Sequence, residues 1–172
     1  MCLGALAFFP SNSRSSPLDA SAKADERHYW ANIGGGIGLA HGGIGGDPAG
    51  VAGGISLSYR KGSSLFSIRQ VSVAELQLVL WENSGPPDRV WDVGVLYGRV
   101  TKVPYGLASI SGGLGLVGDN ENSHSRMGIP IEGQLFWTPG SLVGFGLYGF
   151  ANLNSKKSFV GVLLYLQIGK LK

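Results

Sequence analysis

The residues best equipped for chemistry in this sequence are His41, His124, Ser123 and Ser125, with Asp47 and Glu121 nearby in the chain. A serine, a histidine and a carboxylate can supply a nucleophile, a general base and a group that orients the base. His41 and Asp47 fall in one expected outer connection. His124, its flanking serines and Glu121 fall in another. The set assembles only if those two connections meet. Its spacing matches no hydrolase pattern, and the chain holds no GxSxG, HExxH or CxxC. Polar connections contain such residues by default, so no catalytic residue is assigned.

Other site signals are weaker still. Gly34-Gly35-Gly36-Ile37-Gly38 superficially looks like a dinucleotide-binding turn, but it lies inside an alternating run with no helix after it. Asp119, Glu121 and neighbouring asparagines offer oxygen atoms to calcium, as any solvated polar loop does. No cofactor or metal site follows. The net charge of +3 is mild, and the basic residues form no stripe interleaved with aromatics, so no nucleic-acid partner is indicated. The single cysteine, Cys2, excludes an internal disulfide framework.

The elements that would position these residues show a period of two. In Tyr29–Leu39, Tyr29, Ala31, Ile33, Ile37 and Leu39 share one parity, and Trp30, Asn32 and Gly34 the other. That is a strand pattern and not a helix face. The same alternation recurs around Val51–Arg60, Trp91–Gly98, Ala108–Leu116, Ile129–Trp137, Val143–Tyr148 and Val160–Gly169. A further strand spans Leu65–Leu80 with mixed parity, which a bulge or bend would explain. Turn residues separate the runs at Lys61-Gly62-Ser63, Asn83–Asp88, Thr101–Pro104, Gly118–Arg126, Thr138-Pro139-Gly140 and Asn152–Lys157. The reading is an all-β, eight-stranded, antiparallel up-and-down barrel over residues 27–172.

Charge indicates which face points outward. Charged residues make up 15% of the 172 residues, and 29 are glycine. An ordinary soluble domain carries about 25% charged residues. No run of about 18 apolar residues offers a spanning helix. A soluble barrel with an apolar ligand inside would cover its outer parity with Lys and Glu. Here that parity is mostly Gly, Ala and Ser, which suits a narrow lumen. The few charges on it, Arg60, Asp92 and Glu132, with Gln134 and Arg69, are expected to form an internal network, because isolated buried charges are costly. Connections after strands one, three and five are expected to be longer than those after two, four and six, as in transmembrane barrels. Tyr29, Trp30, Tyr59, Trp81, Trp91, Tyr97, Tyr105, Trp137 and Phe159 lie near strand ends, where interfacial girdles form.

On these strands and connections, Tyr29 to Lys172 resembles the small eight-stranded bacterial outer-membrane barrels, the class of outer membrane protein X-like, OmpA transmembrane-type and opacity-type proteins. Val160–Lys172 resembles their alternating last strand but ends in Leu-Lys, not in an aromatic residue. The resemblance implies a bacterial outer-membrane location. It implies contact with membrane lipid and lipopolysaccharide, and a protein partner met through the outer loops or barrel wall. It also implies a non-enzymatic structural, surface-interaction or envelope-assembly role. The alternatives are a lipid A acyltransferase or deacylase with its site at the outer rim, and a soluble barrel carrying an apolar ligand. Met1–Phe9 (MCLGALAFF) and Ala20-Ser21-Ala22 read as a signal-peptide remnant within residues 1–26, the alternative being a disordered tail.

Overall fold

A computed structural model describes residues 27–44, 47–75, 88–104, 106–120, 125–155 and 157–171, with the side chains of 42–48 excepted. The strands are β1 (Arg27–Ile44), β2 (Asp47–Lys61), β3 (Ser64–Glu75), β4 (Arg89–Val103), β5 (Gly106–Asp119), β6 (Arg126–Trp137), β7 (Val143–Leu153) and β8 (Phe159–Lys170). Each pairs antiparallel with its chain neighbour, and β1 pairs with β8 to close the barrel. The segment 1–26, Trp81 and Tyr105 lie outside the described residues.

The closure is staggered. A register line leaving β1 at Tyr29 runs through Tyr59, Phe66, Tyr97, Gly112, Ile131, Ala151 and Val160, and returns to β1 at Leu39. Such an offset tilts the strands and sets the width of the tube. Eight strands leave room inside for side chains and little else.

The apolar parity faces outward. Ile37, Leu57, Val95, Ile110, Leu114 and Leu164 are each more than 60% exposed. A water-soluble monomer does not expose a continuous band of this kind, and a lipid-facing wall does. A soluble barrel with an apolar interior is the reverse of this arrangement. Six outward aromatics lie toward the end that carries the β2–β3, β4–β5 and β6–β7 turns. Tyr29, Tyr59, Phe66 and Tyr97 are consecutive along one register line. Trp137 packs on Phe145 with ring centroids 4.7 Å apart. Trp30 and Phe159, expected in the girdles, instead point into the lumen and are buried.

Three further expectations change. The first outer connection is only residues 45–46, because β1 and β2 stay paired up to Ile44 and Asp47, with a register shift past Leu39. His41 and Asp47 are therefore strand residues. The contrast of long and short connections rests on 76–88 and 120–125. Second, β3 contains no bulge among its described residues. Its pairing to β2 and β4 is continuous and its inward parity is constant from Leu65 to Val73; the residue types switch, with Val71 and Val73 facing the lumen and Gln70 and Ser72 facing out. Third, the lumen is not lined by small residues alone. Val71, Val73, Val90, Val117, Phe150 and Phe159 fill the loop end, and Trp30, Leu65, Val100, Leu107 and Leu171 fill the turn end.

At the β2–β3 turn Gly62 takes φ +61°, which is cheap only for glycine. Arg60 Nε donates to the Gly62 carbonyl at 2.6 Å and braces the turn.

Candidate functional site

Between the two apolar layers lies a polar belt, built by the inward parity of five strands. β3 contributes Ser67 and Arg69, β4 contributes Asp92, and β6 contributes Glu132 and Gln134. β7 contributes Tyr148 and Asn152, and β8 contributes Tyr165. Arg69 is the cross-brace. Its Nη2 donates to Asp92 Oδ2 at 2.7 Å, where both side chains are fully buried. The same guanidinium reaches across the lumen to the far wall, with Nη1 to the Ile131 carbonyl at 2.9 Å and Nη2 to the Ala151 carbonyl at 3.0 Å. A planar cation with several fixed donors suits this branching role better than a lysine would. Asn152 Nδ2 adds a second donor to Asp92 Oδ2 at 2.8 Å.

Glu132 is the second node. Ser67 Oγ and Gln134 Nε2 both donate to its Oε1 at 2.9 Å, and the Tyr148 hydroxyl donates to Oε2. Tyr148 stacks on Tyr165 with ring centroids 4.4 Å apart. These rings wall the belt toward β8. Burying a carboxylate costs several kcal/mol unless donors replace its water, and three donors replace it here.

Of the sequence-predicted lumen residues, Arg69, Asp92, Glu132 and Gln134 come together. Arg60 lies apart, at the β2–β3 turn. Sequence reasoning missed Tyr148, Tyr165, Asn152 and Ser67 as members. The first two were visible in the inward parity, opposite the apolar residues of β7 and β8. Asn152 reads as a turn residue in Asn152–Lys157, but it is the last inward position of β7.

Of the rim candidates, the side chains of His41 and Ser125 are described. His41 is exposed on β1, and its amide donates to the Ser158 carbonyl at 2.7 Å, tying β1 to the β7–β8 connection. Ser125 is exposed just before β6. β1 neighbours β2 and β8, whereas β6 neighbours β5 and β7, so β7 and β8 stand between His41 and Ser125 on the rim. His124, Ser123 and Glu121, and the side chain of Asp47, lie outside the described residues.

No family model matches the sequence, and no curated protein matches it. Among solved structures, Neisserial surface protein A aligns with a TM-score of 0.62 at 11% identity, over 83% of this chain and 96% of its own. The fold is that of a small outer-membrane β-barrel. Ail, the attachment invasion locus protein of Yersinia pestis, aligns with a TM-score of 0.49 at 14% identity, over 84% of this chain and 98% of its own. A de novo designed transmembrane β-barrel aligns with a TM-score of 0.47 at 12% identity, over 82% of this chain and 95% of its own. This outer-membrane barrel therefore has its eight strands and closed sheet in common with Neisserial surface protein A, and little of its sequence.

Proposed function

We propose that this barrel is a non-enzymatic outer-membrane protein that works through its rim and outer wall, as a structural or surface-interaction element and not as a channel. The observation that carries the reading is the Arg69 brace. It crosses the lumen from β3 to the carbonyls of Ile131 and Ala151, between two apolar layers, and supports a filled lumen.

Chemistry at the rim is the competing reading. His41 and Ser125 are separated on the rim by β7 and β8, which favours the non-enzymatic reading. The loop end also carries cations. Arg89 donates to Ser72 Oγ at 3.0 Å, and Lys157 faces Asp119 at 3.8 Å. Arg126 is exposed beside them. Cations at that level suit the phosphates of lipopolysaccharide.

Planar-bilayer recordings of the refolded protein test the first part, with no unit conductance expected. A steady open conductance would overturn the sealed-lumen reading. Mass spectrometry of lipid A from cells with and without the protein tests the second. Identical profiles are expected, and a gained or lost acyl chain would establish the enzyme instead.

A further inference from the structure

Gln70 is a polar residue on the lipid-facing wall. It lies where the apolar residues of β3 switch to the inward face, and its register neighbours Ile55 on β2 and Val93 on β4 are exposed apolar residues. The apolar wall continues toward the loop end on both sides, through Val51 on β2 and Trp91 on β4. Gln70 is therefore within the band and not at its border. Ser72, the next outward residue, accepts a hydrogen bond from Arg89. The Gln70 amide has no side-chain hydrogen bond among the described residues. An amide in hydrocarbon without a partner is costly, and none of the described residues supplies one.

The ground beside it is low. Gly35 and Gly53 are paired and face outward, and Gly53 is registered with Ser72. A methyl group added at either glycine would meet nothing closer than 3.7 Å, so internal packing does not require glycine at these positions. Small residues on a membrane-facing surface let another backbone approach closely, and polar side chains then bond across the contact. A groove of about 460 Å³ borders the patch, with Ile33, Ile55, Ile68 and Val93 along its wall.

We infer that this face, centred on Gln70 with Gly35 and Gly53 beside it, docks a second copy of this chain within the membrane. The inference rests on the membrane reading of the barrel. A two-fold axis along the membrane normal keeps every residue at its own depth, so Gln70 of one protomer meets Gln70 of its partner. A carboxamide carries both a donor and an acceptor. Two of them form a reciprocal pair and satisfy each other, whereas a different barrel would have to present a matching group at this one depth.

The test is site-specific crosslinking in a Cys2→Ser background, which removes the single native cysteine. Ile55→Cys, at the outward register neighbour of Gln70 on β2, leaves the amide in place and is compared with Ile129→Cys on another arc of the wall. After oxidation in proteoliposomes, Ile55→Cys should give a disulfide-linked dimer at least about tenfold above Ile129→Cys, the ratio expected if contact is specific. Equal yields would overturn the inference, as would crosslinking in cell envelopes to a different polypeptide only. As a second measurement, Gln70→Leu should weaken dimerisation in detergent micelles by about tenfold, the size of a lost hydrogen-bonded pair. An unchanged dimer constant would also overturn the inference. The folded form is followed by its heat-modifiable gel mobility. A protein stable and monomeric in plain buffer would instead defeat the membrane reading itself.

Discussion

Arg69 on β3 and Asp92 on β4 meet at 2.7 Å inside the barrel, both shielded from solvent, and the same guanidinium also holds two carbonyls of the opposite wall. The contact joins neighbouring strands and also props the tube across its diameter. Removing one partner strands a buried charge. Asp92→Ala should therefore lower unfolding stability by about 3–5 kcal/mol. The double variant Arg69→Met/Asp92→Ala should recover part of that loss, since both charges are gone. Urea titrations in phospholipid vesicles, read by tryptophan fluorescence, measure both. Additive losses in the double variant would show that the two residues act independently.

Glu132 is the acceptor for Ser67, Gln134 and Tyr148. Tyr148→Phe removes one donor and leaves the ring stacked on Tyr165, so the expected cost is about 1–2 kcal/mol. Glu132→Leu leaves three buried donors without an acceptor, and should cost more than Tyr148→Phe in the same titration. The reverse order would mean that Glu132 is not the centre of the belt.

Leu164 is 70% exposed on the lipid-facing side of β8. Leu164→Arg should destabilise the vesicle-inserted barrel by about 2–4 kcal/mol if the residue lies near the bilayer midplane. The same change on a water-facing wall would be close to neutral. Folding yield into vesicles and the urea midpoint separate the two cases.

Gly34 and Gly35 are adjacent and differ in what surrounds them. A methyl group at Gly34 would collide with the Leu164 carbonyl and the Tyr165 ring, whereas one at Gly35 has its nearest neighbour at 3.7 Å. Gly34→Ala should cost about 1–3 kcal/mol through overpacking. Gly35→Ala should be tolerated or slightly stabilising, because it restricts the unfolded chain. Thermal or urea unfolding of the pair decides the point, and equal losses would contradict the assigned facing.

The alternation of Tyr29–Leu39 and Val160–Gly169 was legible because one face of each strand meets lipid and the other a packed lumen. β3 was legible only in its first half. Past Arg69 its inward side meets an apolar layer and its outward side carries Gln70, so neither face keeps the common rule. The reach of the first hairpin was hidden because Gly42, Gly43, Gly45 and Gly46 look like loop residues, yet pairing persists to Ile44 and Asp47. Charges could be assigned to the lumen from parity, but not joined to particular partners. Whether Arg69 meets Asp92 or Glu132 depends on stagger, and stagger is a property of the closed ring that no single strand encodes.

The pairing of β1 with β8 has a consequence for the birth of the molecule. Phe159–Lys170 is the last of the eight described strands in chain order, and its partner Tyr29–Ala40 lies in the first. Until both are present, every shorter nascent chain carries two open edges and an apolar face with no bilayer to receive it. The ring therefore closes only when both strands are present. Truncation at β8 should give a polypeptide that aggregates, not a smaller barrel.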